Sequence, residues 1–234
     1  MLKNRIGEYI VRYTVATLGL VFIAIGVALS IKSDLGTAPV SCPPVVVNLW
    51  NHSLTVGEYT IAMHLIFILL QVILLRKDFK LAYLMQIPAA IVFGILTDAA
   101  IWAFDWIEVS SYLMRLTLCL LTVTLTALGV SLEVFGGAWM LAGEQTTAAI
   151  AQVTKLRFAN VKVGFDIFLV AISAIFAMLV FKSPFGNGGD IVIREGTLIL
   201  AVFTGLLMRL TDPLVKFIFS SAIDRYDKKE DAAL

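Results

Sequence analysis

Charge is what this sequence has least of. Aspartate, glutamate, lysine and arginine make up 15% of its 234 residues, against 59% hydrophobic ones, where a soluble domain carries about a quarter charged. Too little polar surface exists to cover a water-exposed fold. The charge present nearly cancels, at +1, and no basic stripe with interleaved aromatics occurs, which sets nucleic-acid partners aside. Cysteine and histidine are scarce too, two of each. Cys42 and Cys119 show no disulfide or ligand spacing, and His52 and His64 add no cluster, so neither a metal nor another cofactor is expected. Catalytic machinery is missing in the same way. Ser41 or Cys42 near His64 is conceivable as a nucleophile and base, but no motif joins them, and the chain does not read as an enzyme.

What is abundant is long uncharged runs. They separate Arg12 from Lys32, Glu58 from Arg76, Lys80 from Asp98 and Arg115 from Glu133, each near the roughly 20 residues that cross a hydrocarbon core. Shorter runs, equally apolar, lie between Asp166 and Lys182 and between Glu195 and Arg209. The lipid bilayer is therefore the chain's first partner. The fold class is all-α: a polytopic membrane protein with helices expected near 11–31, 58–76, 82–104, 113–134, 163–182 and 196–218. The first run exceeds the about 7–15 residues of a signal-peptide core, and it reads as a retained helix despite a passable cleavage site at Ala28–Ser30.

The two halves share a pattern. "AIGVALSI" from Ala24 parallels "ALGVSLEV" from Ala127. "LGTAPVS" from Leu35 falls on "AGEQTTA" from Ala142 if the second half carries about four extra residues. "TVGEYTIAMHLI" from Thr55 falls on "KVGFDIFLVAIS" from Lys162, and "FGILTDA" from Phe93 on "TGLLMRL" from Thr204. Four matches in one order indicate duplication. The repeats are 1–108 and 109–222, with a solvated tail over 223–234. Each holds three spanning helices and one short broken segment, at 36–50 and 143–155. With both termini in the cytoplasm, thirteen of the 18 Lys and Arg fall inside and four outside, a positive-inside bias. Three crossings per repeat make the repeats inverted with respect to each other.

The breaks are "LGTAPVSCPP" from Leu35 and "AGEQTTAAIA" from Ala142. Neither segment is long enough to cross as a helix, and irregular backbone survives in lipid only when buried or lining a cavity. They read as re-entrant half-helices, the alternative being external apolar loops. Thr37, Ser41, Thr146 and Thr147 suit N-caps, and Pro43 and Pro44 suit a first turn. Two N-termini facing one another near the midplane would favour an anion or carboxylate. The substrate-binding candidates are Gly36, Thr37, Pro39, Ser41, Gly143, Glu144, Gln145 and Thr146. Glu144 either caps its helix or meets a solute's ammonium or a coupling proton. Gating or proton-coupling candidates are Asp98, Asp166 and Arg209. For Asp166 the alternative is an ion pair with Lys162; for Asp98 and Arg209, snorkelling to an interface. His64 is expected as a hydrogen-bonded packing residue, and Glu133 and Lys32 as interfacial. Trp50, Trp102, Phe104 and Trp106 read as an interfacial belt. "SPFGNGGD" from Ser183 is a turn-rich outer loop without phosphate-loop spacing.

These residues resemble the YczE/YyaS/YitT class of bacterial integral membrane proteins, nearest its YczE-like branch. The resemblance rests on "GVALSIKSDLGTAPV", on "AGEQTTAAIAQVTKLRFANVKVGFDIFLV" and on "REGTLILAVFTG". It departs where members often carry tryptophan or aspartate after the first break's proline, here Val40 and Ser41, and a Gly-Asp pair in the second break, here Gly143 and Glu144. The acidic character persists, so a site role carries to Glu144. The resemblance implies a bacterial inner membrane. The leading expectation is a small transporter of a small polar solute, carboxylate-bearing or zwitterionic, working as a homodimer by analogy with other thin helical folds. A selective channel using the same half-helices and a non-transporting membrane partner protein are the alternatives.

Overall fold

The computed structural model describes the backbone of residues 2–187 and 192–231, and the side chains of 7, 9–158, 160–187 and 192–219. The end of the Ser183–Asp190 loop and the last residues of the tail lie outside them. Among the described residues the chain is all-helical: α1 (Leu2–Ser33), α2 (Cys42–Trp50), α3 (Val56–Leu75), α4 (Gln86–Ala103), α5 (Tyr112–Gly136), α6 (Ala142–Thr154), α7 (Phe158–Phe181) and α8 (Glu195–Asp231). Six of these contain stretches long and apolar enough to cross a membrane: Tyr9–Ser33, Val56–Asp78, Leu81–Ala103, Tyr112–Gly136, Asn160–Phe181 and Glu195–Phe219. They coincide with the expected spans to within a few residues. The architecture is that of a polytopic all-α membrane protein. The tail is not separate, since α8 continues as helix through Asp231.

Local chemistry sets the ends. A capping box starts α3: Thr55 Oγ1 accepts from the Glu58 N–H while Glu58 Oε2 accepts from the Thr55 N–H, closing two otherwise orphan donors. α5 stops at Gly137, whose φ of 59° is a left-handed terminus. α2 opens with Pro43 and Pro44, after a single 3-10 turn over Pro39–Ser41.

The seam of the molecule is α1 against α5, with α4 and α8 flanking it. Glycines bring the two backbones together: a Cβ on Gly19 would stand 2.5 Å from Gly129 O. The helices run antiparallel, since Arg12 meets Gly136 while Gly26 meets Thr122 and Thr126. Their contacts are reciprocal. Positions 103 apart in the matched motifs correspond, and Gly19 meets Gly129 just as Gly26 meets Thr122. Ile23 meets Gly129 just as Thr126 meets Gly26. Outside the seam, α3 packs on α4, α2 and α6, and α7 packs on α2 and α6. α7 and α8, in contrast with α3 and α4, barely touch among the described residues.

The same 103-residue spacing separates the starts of the two breaks. Ala38 and Leu141 precede the two short helical segments with nearly the same backbone angles, φ −61°, ψ 146° and φ −65°, ψ 146°. Counted by that spacing, Leu35 falls on Ala138, four residues before the Ala142 of the motif match. α7 starts six residues before Gly164, whereas α3 starts one residue before Gly57.

Candidate functional site

Both short helices lie where the broken segments were expected. At about 1.5 Å per residue, neither the nine residues of α2 nor the 13 of α6 reaches across a ~30 Å hydrocarbon core. Their tips meet. A Cβ on Gly143, at the start of α6, would lie 3.5 Å from Val40, in the turn that leads into α2. Val40 and Gly143 are themselves 103 positions apart. Ser41 and Glu144 follow them directly, so the same step past the contact carries a hydroxyl on one side and a carboxyl on the other.

The expected caps are not the ones used. Neither Ala38, Ser41 nor Leu141 makes a side-chain cap bond at its N-terminus. Thr146 and Thr147 lie inside α6, where Thr147 Oγ1 donates to Gly143 O at 3.0 Å. The α6 cap comes from a distance. Glu133, on the last full turn of α5, accepts the Leu141 N–H through Oε1. This is possible because the chain folds back after Gly137 and returns alongside α5. Glu133 was expected at the interface, but it is 0% exposed, and its Oε2 has no partner among the described residues.

The substrate candidates now separate. Gly36 and Thr37 are committed to structure: Gly36 presses against Arg194 and Thr197, and Thr37 donates its N–H to Val192 O at 2.8 Å and holds Cys42 Sγ at 3.3 Å. Pro39 is buried at the head of its turn. Thr146 is also committed. It accepts from Gln71 Nε2 at 3.0 Å, and Gln71 exchanges two 2.9 Å amide bonds with Gln86. That buried amide pair joins α3, α4 and α6. Sequence reasoning missed it, although two glutamines at adjacent ends of consecutive spans are the kind of polar glue membrane helices use. Ser41, Glu144 and Gln145 are only half-buried; among the described residues Ser41 and Gln145 make no side-chain hydrogen bond, and the Glu144 carboxylate accepts its own backbone N–H. With the backbone of Gly143 they form the candidate site. Glu144 lies in the field of Glu133, Lys162 and Asp166.

The three gating candidates do not converge. Asp166 pairs with Lys162 at 2.6 Å on α7, near the site but engaged. Arg209 is exposed on α8, away from it. Asp98 joins α4 to the start of α3: its carboxylate accepts the Gly57 N–H at 2.7 Å and the Thr55 hydroxyl at 2.6 Å. It is thus a second cap on α3, and Asp98→Ala is expected to lower stability by about 2 kcal/mol, as for hydrogen bonds to a charged group. Thermal unfolding in detergent measures this, and an unchanged melting temperature would return Asp98 to the list of gates. His64 is a packing residue, its ring tilted against Phe67 and Phe93 at 6.2 and 5.8 Å. The expected hydrogen bond is missing, since neither ring nitrogen has a partner among the described residues.

Comparison with known proteins agrees with this architecture in extent. The model of a family of unknown function, DUF6198, matches residues 10–213, from the first span into the last. The uncharacterized protein YyaS of Bacillus subtilis (strain 168) is 26% identical over 204 residues, covering 85% of this chain and 94% of its own. No solved structure matches the chain.

Proposed function

For this chain, which belongs to the DUF6198 family of unknown function, we propose a transport role: a small carrier in the bacterial inner membrane that binds a small polar solute between the tips of two re-entrant helices. The observation that carries it is the close approach of Gly143 to Val40, beside which Ser41 and Gln145 make no side-chain hydrogen bond among the described residues and Glu144 bonds its own backbone. An inverted repeat explains why equivalent positions meet there. Antiparallel α1 and α5 with reciprocal contacts are what a two-fold axis in the membrane plane requires. Both termini are cytoplasmic in this arrangement, by the distribution of Lys and Arg. A homodimer belongs to the proposal, with α7 and α8, the least buried of the spanning helices, available to a second copy.

Of the two solute chemistries, the zwitterion is favoured over the plain carboxylate. An anion at a helix N-terminus needs free N–H groups as well as the dipole. At α2 the Cys42 N–H already bonds Ala38 O, and Pro43 and Pro44 have none to offer. At α6 the Ala142 and Gly143 N–H groups remain, but Glu144 stands beside them. A solute with a carboxylate for α6 and an ammonium for Glu144 satisfies both.

The test is a thermal-shift screen of the purified protein against amino acids, carboxylates, sulfonates and amines. A bound solute at about 100 times its Kd adds roughly 2.7 kcal/mol, a rise of about 5 °C or more for a protein of this size. Zwitterionic amino acids are expected to raise the melting temperature of the wild type and not of Glu144→Gln. No shift from any of the compounds would count against the carrier.

A further inference from the structure

We propose that the cleft between α7 and α8 is a lipid site that takes an aminophospholipid, with a phosphoethanolamine headgroup at its rim and an acyl chain along its walls. α7 and α8 barely touch among the described residues, and the gap they leave is a cavity of about 590 Å³. Its walls are apolar: Val170 from α7, Phe185 from the segment that follows, and Ile193 and Leu198 on either side of the start of α8. Phe185 is fixed in place, since its carbonyl accepts the Val192 and Ile193 N–H groups at 2.8 and 3.3 Å. Val170 lies 11 residues before Phe181, the end of α7. That is about 16 Å along the helix, so the cleft runs to roughly half the depth of a ~30 Å hydrocarbon core, the reach of one leaflet's chains. Leu198 at 70% and Phe185 at 57% exposure leave it open at the side. Water has no place in a gap that faces hydrocarbon, and an unfilled one forfeits dispersion contacts along its lining.

The rim names the headgroup. Arg194 and Glu195 line the cleft where the last spanning stretch begins. Arg194 Nε donates to Glu195 Oε2 at 2.9 Å, and Arg194 Nη1 to Asp34 O at 3.3 Å. The two N–H groups of Arg194 Nη2 and the second oxygen of Glu195 have no partner among the described residues, on side chains 35% and 42% exposed. A guanidinium edge suits a phosphate, and a carboxylate oxygen suits an ammonium. Phosphoethanolamine carries those two groups two carbons apart, so the adjacent pair takes both. The rim also sums to zero. Arg115, which reaches the same Asp34 carbonyl, is paired with the Asp34 carboxylate, and Lys182 is not part of the lining. A net-anionic headgroup therefore finds no surplus of positive charge, and a trimethylated ammonium has no hydrogen to donate to Glu195. The proposal stands without the transport reading, since it uses neither α6 nor the solute.

Native mass spectrometry of the purified protein tests this. The protein is stripped of lipid in detergent and titrated with phosphatidylethanolamine, phosphatidylcholine or phosphatidylglycerol of the same chains. The wild type is expected to bind phosphatidylethanolamine about tenfold or more tightly than either of the others, the size of one charge-assisted hydrogen bond. Glu195→Gln should bring it down to the phosphatidylcholine level, and Leu198→Trp, which fills the cleft, should weaken all three. Both side chains are exposed, so circular dichroism of the two variants should match the wild type. Equal binding of the three lipids, a preference that survives in Glu195→Gln, or binding undiminished in Leu198→Trp overturns the site. Chain-free phosphoethanolamine that competes as well as the lipid would make it a site for a soluble zwitterion. A dimer that takes up no lipid would mean that a second copy covers the cleft. Either result also overturns the proposal.

Discussion

Gly57→Ala is expected to cost about 3–5 kcal/mol, while Gly164→Ala, in the similar sequence motif of the second half, costs nothing. The added Cβ at Gly57 would stand 2.2 Å from Gly94 O and 2.5 Å from Asp98 Oδ2. The first of these is backbone and cannot step aside. Forcing α3 and α4 apart carries an overpacking penalty of about 1–3 kcal/mol. It also pulls the Gly57 N–H away from Asp98, a charge-assisted bond of about 1.5–3 kcal/mol. That is a large share of the roughly 5–15 kcal/mol that holds a folded protein. Around Gly164, by contrast, nothing lies within 4 Å, and alanine gains about 0.5–1 kcal/mol from helix propensity. Denaturation of the two variants in the same detergent gives the comparison. Equal losses would mean that α7 packs on α8 as α3 packs on α4, and the separation of those two helices would then be wrong.

That contrast marks how far sequence reasoning reaches. The spans were legible because charge is expensive in lipid, so its spacing along the chain reports the crossings. The breaks were legible because Pro39, Pro43 and Pro44 interrupt an apolar stretch. Gly57 and Gly164 sit in the same local pattern, however, and only the neighbouring helix decides that one is pressed and the other open. Glu133 misled for a similar reason. It lies one turn from the end of α5, which resembles an interface until the chain is seen to fold back over 138–141 and bury it. For Asp98 half of the signal was present, as Thr55 and Glu58 have the spacing of a capping box. Its partner 41 residues away is a tertiary fact with no local trace. Among the residues expected to bind a solute, Gly36, Thr37 and Thr146 fasten the breaks, while Ser41 and Gln145 make no side-chain hydrogen bond among the described residues, a difference that no local pattern announces.

Gly36→Ala is expected to detach the first break from the 192–197 segment that holds it. Gly36 has φ of +105°, a conformation that costs a residue with a Cβ about 1–3 kcal/mol. That Cβ would also meet Thr197 Oγ1 at 2.4 Å and Arg194 N at 2.8 Å. On either side of Gly36 the chain is tied to the same segment, by Gly196 N–H to Leu35 O at 2.7 Å and Thr37 N–H to Val192 O at 2.8 Å. Strain and collision therefore act on one latch. Cys42 reports it, because it is 0% exposed, packed with Val192 and held by Thr37. In a Cys119→Ser background, maleimide should label Cys42 in Gly36→Ala at least tenfold faster than in the parent. A tenfold change corresponds to a loss of only about 1.4 kcal/mol of local protection, less than the strain alone can supply. If Cys42 stays as protected as before, the latch tolerates a side chain, and Gly36 returns to the solute site as a binding residue. If it is released, the glycine is there to let two backbones meet, and the first half contributes to the solute site only through Ser41 and the end of α2.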